Sequence, residues 1–165
     1  MSAPRQRVAS QRIRDRLADL PRHLNVLDSA ISLFDPDFDA GGFRAAAASF
    51  DPAELAKANQ VQAAFENVHN HLIGLAQGIV ELKEWDERAD ALTALRRLKE
   101  HRVISEAQRK AMHETQIIRN AIQHAYHDVV ADELREAAQT VKLNARGFIH
   151  ALLVFLESEG IVRST

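Results

Sequence analysis

The chain has 165 residues, of which 46% are hydrophobic and 27% charged, with a formal net charge of −2 and no cysteine. A near-neutral balance argues against a general nucleic-acid coat, because non-specific binding draws on an excess of Lys and Arg. The lack of cysteine excludes a disulfide framework, a thiolate metal site and a cysteine nucleophile.

A domain of this length hides roughly two thirds of its unfolded surface, so one domain spanning 1–165 is expected. The N-terminal arginines at 5, 7, 12, 14 and 16 read either as a local phosphate contact or as a solvated arm, with residues 1–12 as a mobile basic arm. The segment from Ile13 through Leu17, Leu20, Leu24, Leu27 and Ile31 to Phe34 steps by four and three, which puts one stripe on a long first helix. Pro21 sits inside it, predicting either a kink or a break with a second helix in phase. Asp35-Pro36 is the expected stop.

A turn at 39–42 and a short connecting helix over 43–50 follow. Asp51-Pro52-Ala53-Glu54 combines a capping residue, proline at the first helical position and a glutamate three residues on. The helix it opens carries Val61, Phe65, Val68, Leu72, Leu75, Ile79 and Leu82 on one stripe. A further helix starting at or near Asp86 presents Leu92, Leu95 and Leu98 and ends near His101-Arg102, where basic residues suit the negative end of the helix dipole. Ser105-Glu106-Ala107-Gln108 is a second capping box. The helix behind it has an apolar stripe of Ala111, Thr115, Ile118, Ile122 and Ala125. The last helix, capped near Asp132, presents Leu134, Ala138, Val141, Ala145, Phe148, Leu152 and Phe155 and stops at Glu159-Gly160.

These elements predict an all-α protein, an antiparallel bundle of four to five helices with short connections. The longest apolar run near the C-terminus, residues 147–156, is far below the roughly 20 needed to span a bilayer. The N-terminus lacks the apolar stretch of a signal peptide. A cytoplasmic protein without membrane association is expected.

Chemistry concentrates in Arg119-Asn120-Ala121-Ile122-Gln123-His124-Ala125-Tyr126. Arginine holds phosphate through paired N–H donors, and imidazole moves protons near neutral pH. Asn120, His124 and His127 share a helix face, roughly opposite Ile118 and Ile122, and Arg119 and Tyr126 lie within about 20° of each other. A solvated polar face is the plain alternative. Arg119 and His124 are about 140° apart around a straight helix and do not converge on one phosphate. A second copy across a two-fold axis brings the arginine of one protomer near the histidine of the other.

At these residues the chain resembles the HEPN superfamily, whose ribonuclease motif is an arginine followed after four to six residues by a histidine, with a polar residue next to the arginine. Arg119-Asn120 and His124 match it. Tyr126, one residue beyond the histidine, is similar to the HepT toxin branch. The resemblance covers about Leu92 to Leu156; before Leu92 only the helical layout agrees. It implies a HEPN-like fold and a metal-independent endoribonuclease toxin without a cofactor, acting on RNA in a composite homodimer cleft. Arg119 would then polarise the scissile phosphate, His124 would act as general base or acid, and Asn120 would position RNA or the histidine, with His127 as a second imidazole beside it. Tyr126 would be the hydroxyl to which a cognate nucleotidyltransferase antitoxin adds AMP. An alternative is a catalytically silent HEPN module that binds such a nucleotidyltransferase or a nucleotide. Tyr126 on its own also reads as an interface residue.

Two other patterns carry less. Glu66 and His69 have the spacing of one half of a di-iron site, which needs two copies, and no second copy is present. The charges from Glu81 to Arg97 read as a solvated helix surface.

Overall fold

The computed structural model describes residues 2–124 and 130–163. Six helices occur among the described residues: α1 (Ala3–Ser32), α2 (Ala40–Ala47), α3 (Pro52–Leu82), α4 (Ala91–Glu100), α5 (Glu106–His124) and α6 (Ala131–Ser158). No described residue is in a strand, so the chain is all-α. The four long helices form the bundle, α2 closes one end, and α4 packs beside α3 and α5.

α3 is the central helix and touches each of the other five. Val61, Phe65, Val68, Leu72, Leu75 and Ile79 are all without exposed surface, as their four-and-three spacing predicts. Ala64, Ala76 and Val80 on adjacent registers are buried too, which is why one stripe understates this helix. α1 runs antiparallel to α3. Gly78 admits Ile13, whose Cγ1 would lie 3.2 Å from a Cβ there, and the His23 ring meets that of His71 at a tilt farther along. α1 continues through Pro21 as a single helix. Residues 3–12, read as an arm, are its first turns, exposed up to Val8 and buried first at Ala9.

The C-terminal ends of α3, α4 and α6 close in the same way. Glu84, Arg102 and Gly160 take positive φ of 55°, 59° and 68°. The next N–H donates back to Val80, Leu98 and Leu156 respectively, 2.8–3.0 Å away. This reversal satisfies carbonyls the helix leaves open, and glycine fits it without a Cβ penalty.

Several boundaries differ from the sequence reading. α4 starts at Ala91 because Asp90, not Asp86, caps it: its Oδ1 accepts from Thr93 N at 2.7 Å, while Asp86 is used in a turn with Arg88 N. Leu92 then falls on the outer side and is exposed. α2 begins earlier than expected, at Ala40, because Asp39 accepts from Gly42 N. Asp51 caps α3 by accepting from Ala53 N, but Glu54 pairs with Lys57 rather than completing a capping box. Asp132 makes no cap; its carboxylate binds Arg44 of α2 and ties the start of α6 to the end of the bundle. Ser105 and Gln108 do form the reciprocal box, each N–H donating to the other's side chain at 2.9 and 3.1 Å.

No helix among the described residues is long and apolar enough to cross a membrane.

Candidate active site on the fifth helix

α5 is amphipathic, but its inner face is not the stripe expected. Met112, Thr115 and Gln116 are its buried residues, while Ala111, Ile118 and Ile122 are half-buried, the two isoleucines packing on the core. Ala125 lies outside the described residues. The inner face therefore centres on two polar side chains, and it turns them toward α3.

There they meet His69, which has no exposed surface. Its Nε2 is 2.7 Å from Gln116 Oε1, and Thr115 Oγ1 is 3.3 Å from its Nδ1. The amide of Gln116 donates in turn to Asn120 Oδ1 at 2.8 Å, one helical turn on. Arg119 Nη1 leans on the same oxygen at 3.5 Å. A chain of polar contacts thus runs from the interior of the bundle to the motif. Burial is the main cause that takes the His69 pKa down to about 4, with the charge of Arg119 adding to it against the Gln116 hydrogen bond. His69 is a neutral imidazole at pH 7.

Arg119 is half-buried and faces α3 rather than lying wholly on an outer face. Its Nε is buried without a hydrogen-bond partner. Among the described residues no carboxylate lies within 4.0 Å of the guanidinium. Glu66, one turn before His69, lies within reach of its charge. Burial pushes the Glu66 carboxyl up from its ordinary value, and the charge of Arg119 pulls it the other way. Cations this far inside a fold are normally paired, so among the described residues Nε of this one is left open.

His124 is the last residue of α5 and is exposed. Asn120 is half-buried, its oxygen committed to Gln116 and Arg119. Arg119 and Asn120 are therefore drawn together by the fold, whereas His124, one turn beyond Asn120, lies about 140° from Arg119 around the helix. His127 and Tyr126 lie outside the described residues.

The motif sits at the end of the bundle closed by α2, since α6 starts there with Asp132 on Arg44. The other end of α6 meets the start of α1, where Arg14 donates to Ile161 O. The N-terminal arginines and the motif are thus at opposite ends. Among the described residues no group of three or more His, Asp or Glu side chains is placed to hold a metal.

Glu66, His69 and Gln116 are the neighbours that the sequence reading did not join to the motif. Glu66 and His69 drew notice only for their metal-like spacing. The available sign was Gln116, four residues before Asn120 and in register with it on a helix. No family model, curated protein or solved structure matches this chain.

Proposed function

We propose that the protein is a metal-independent endoribonuclease acting as a homodimer, with Arg119 and His124 as its catalytic residues. The observation that carries it is the Arg119 guanidinium, half-buried and, among the described residues, without a carboxylate partner and with a buried N–H unsatisfied, about one and a half turns from an exposed imidazole. Such a group favours an anionic ligand, because any oxygen that meets its open donors removes a desolvation cost of about 1–3 kcal/mol. RNA supplies the phosphate and also its own nucleophile. His124 takes the proton of the ribose 2′-hydroxyl as that oxygen attacks phosphorus, Arg119 stabilises the charge that grows on the phosphate, and the bond to the 5′-oxygen of the next nucleotide breaks, leaving a 2′,3′-cyclic phosphate and a 5′-hydroxyl that takes its proton from solvent. Asn120 holds the guanidinium and presents its N–H₂ to the RNA, and His127 supplies the second imidazole.

The 140° between Arg119 and His124 calls for two protomers, each completing the cleft of the other. Tyr126 is the residue that a nucleotidyltransferase antitoxin modifies with AMP, adding bulk and negative charge at the cleft, which makes the chain the toxin of a toxin–antitoxin pair working on cytoplasmic RNA. This assignment rests on the similarity of residues 119–126 to the HepT branch of the HEPN superfamily.

One observation favours a second reading. The oxygen of Asn120 is spent inside the fold, on Gln116, as in a polar core whose task is structural. The chain would then be a silent HEPN module that binds a nucleotidyltransferase or a nucleotide. The two readings separate on incubation of labelled RNA with purified protein in a chelator. The ribonuclease cleaves it, Arg119→Ala and His124→Ala each abolish cleavage, and the silent module leaves RNA intact in all three samples.

A further inference from the structure

The motif does not stand alone on its helix. His69 on α3 and Gln116 on α5 are two of the three polar residues buried in the core among the described residues. They are bonded to each other at 2.7 Å and, through Gln116, to Asn120 at 2.8 Å.

The direction of these bonds is fixed by their outer end. A guanidinium has donors only, so the Asn120 atom facing Arg119 Nη1 is oxygen. That oxygen then accepts from the amide nitrogen of Gln116, which leaves the Gln116 oxygen facing His69. His69 must donate to it from Nε2, with a bare Nδ1 facing the Thr115 hydroxyl. Reversal is chemically available: with the proton on Nδ1, imidazole donates to Thr115 Oγ1, whose own proton goes to Met112 O at 3.0 Å. Both amides would then flip, and the Asn120 N–H₂ would turn toward Gln116 and its lone pairs away from the core. The tautomer of one buried histidine thus decides which face of Asn120 meets Arg119.

We propose that His69 and Gln116 are positioning residues for the motif. They fix the orientation of the Asn120 amide, so that its oxygen holds the guanidinium of Arg119 and its N–H₂ points outward beside it. The pair of donors so aligned matches one oxyanion, and in that consequence the inference rests on the ribonuclease reading. A purely structural role would tie α3 to α5 and leave Arg119 indifferent to the identity of residue 116.

The test is nitrogen-15 NMR on the full chain, with the Arg119 Nε–H signal assigned by its loss in Arg119→Lys. In the wild type the His69 ring carries its proton on Nε2, and the Nδ1–H form would overturn the proposal without any variant. Gln116→Met keeps the length and breaks both bonds. Gln116→Glu still accepts from His69 but sets an oxygen against the Asn120 oxygen. Both are expected to speed solvent exchange at Arg119 Nε–H by about tenfold, because the guanidinium loses the Asn120 oxygen that holds its Nη1 and the buried Nε–H opens to water. His69→Gln, which places a donor where Nε2 was, retains the wild-type rate, as does the core change Ile79→Val. Wild-type exchange in both Gln116 variants would overturn the proposal. If the wild type leaves RNA uncut, the ribonuclease reading falls while the Arg119 signal still decides the positioning role. If it cuts, the Gln116 variants lose kcat far more than KM changes, and the pH profile of His69→Gln overlays that of the wild type.

Discussion

His69 makes the stability of this protein depend on pH over a defined window. The imidazole is fully buried and its pKa is held at about 4 against an ordinary 6.5. Between those values the unfolded chain binds a proton that the folded chain refuses, so stability is intact above pH 6.5 and falls as the pH drops toward 4. Each unit is worth about 1.4 kcal/mol, and the whole window about 3 kcal/mol. Urea unfolding at pH 7 and pH 5, followed by circular dichroism and by the fluorescence of Trp85, the sole tryptophan, compares the wild type with His69→Gln. At pH 7 the variant is weaker by about 1–3 kcal/mol because its fit to Thr115 and Gln116 is poorer. At pH 5 that gap narrows by about 2 kcal/mol, since the variant has no proton to refuse. His23, whose pKa is lowered by burial and then by His71 and Arg22, against the pull of Asp19, adds a loss of the same sign. It is common to both proteins and cancels in the difference. Equal losses in the two proteins from pH 7 to pH 5 would refute a buried neutral imidazole at this position.

Two further outcomes follow from local geometry. Ser105→Ala removes one arm of the reciprocal cap of α5 and lowers stability by about 1 kcal/mol, read as a shift of the urea midpoint with an unchanged slope. Arg135 donates to Phe38 O at 2.6 Å and to Asp37 O, and its guanidinium lies 5.1 Å over the Phe38 ring. It braces two residues at φ 57° and 52°, so Arg135→Ala costs about 2–3 kcal/mol in thermal unfolding, whereas a loss under 0.5 kcal/mol would show that the turn holds itself.

Helical periodicity made most of the bundle legible, because a stripe such as Val61 to Ile79 has one physical explanation, burial against a neighbour. Helix starts were most legible where a side chain bonds to its own helix end. Ser105 and Gln108 do so in sequence as in structure. Asp86 and Asp90 are chemically alike, and only the packing of Leu95 and Leu98 chooses between them. The stop near His101-Arg102 was read from its basic residues, but the left-handed turns at Glu84 and Arg102 were hidden, because they are held by bonds to Val80 and Leu98 rather than by a glycine.

The candidate site was half legible. Arg119 and His124 stand out by type and spacing, and their angular separation follows from helix geometry alone. The depth of Arg119 did not follow, since the stripe through Ile118 and Ile122 marked a different face of the helix as the inner one. The contact with α3 depends on His69 lying 47 positions earlier in the chain, a pairing that no local pattern encodes. A histidine beside an apolar stripe reads as a metal ligand or a surface group until its partner is known, and the partner is a glutamine on another helix.

The composite cleft is tested most directly by complementation. Arg119→Ala and His124→Ala are each inactive as homodimers. Co-expressed in equal amounts, they give dimers of which about half are mixed, each with one intact cleft built from the arginine of one chain and the histidine of the other. Chelator-resistant RNA cleavage should therefore return to about a quarter of the wild-type rate, since half the dimers carry one cleft of two. A mixture as inactive as its parents, at concentrations where the wild type is dimeric and active, would contradict the shared cleft, and a wild type that leaves RNA intact would contradict the ribonuclease itself.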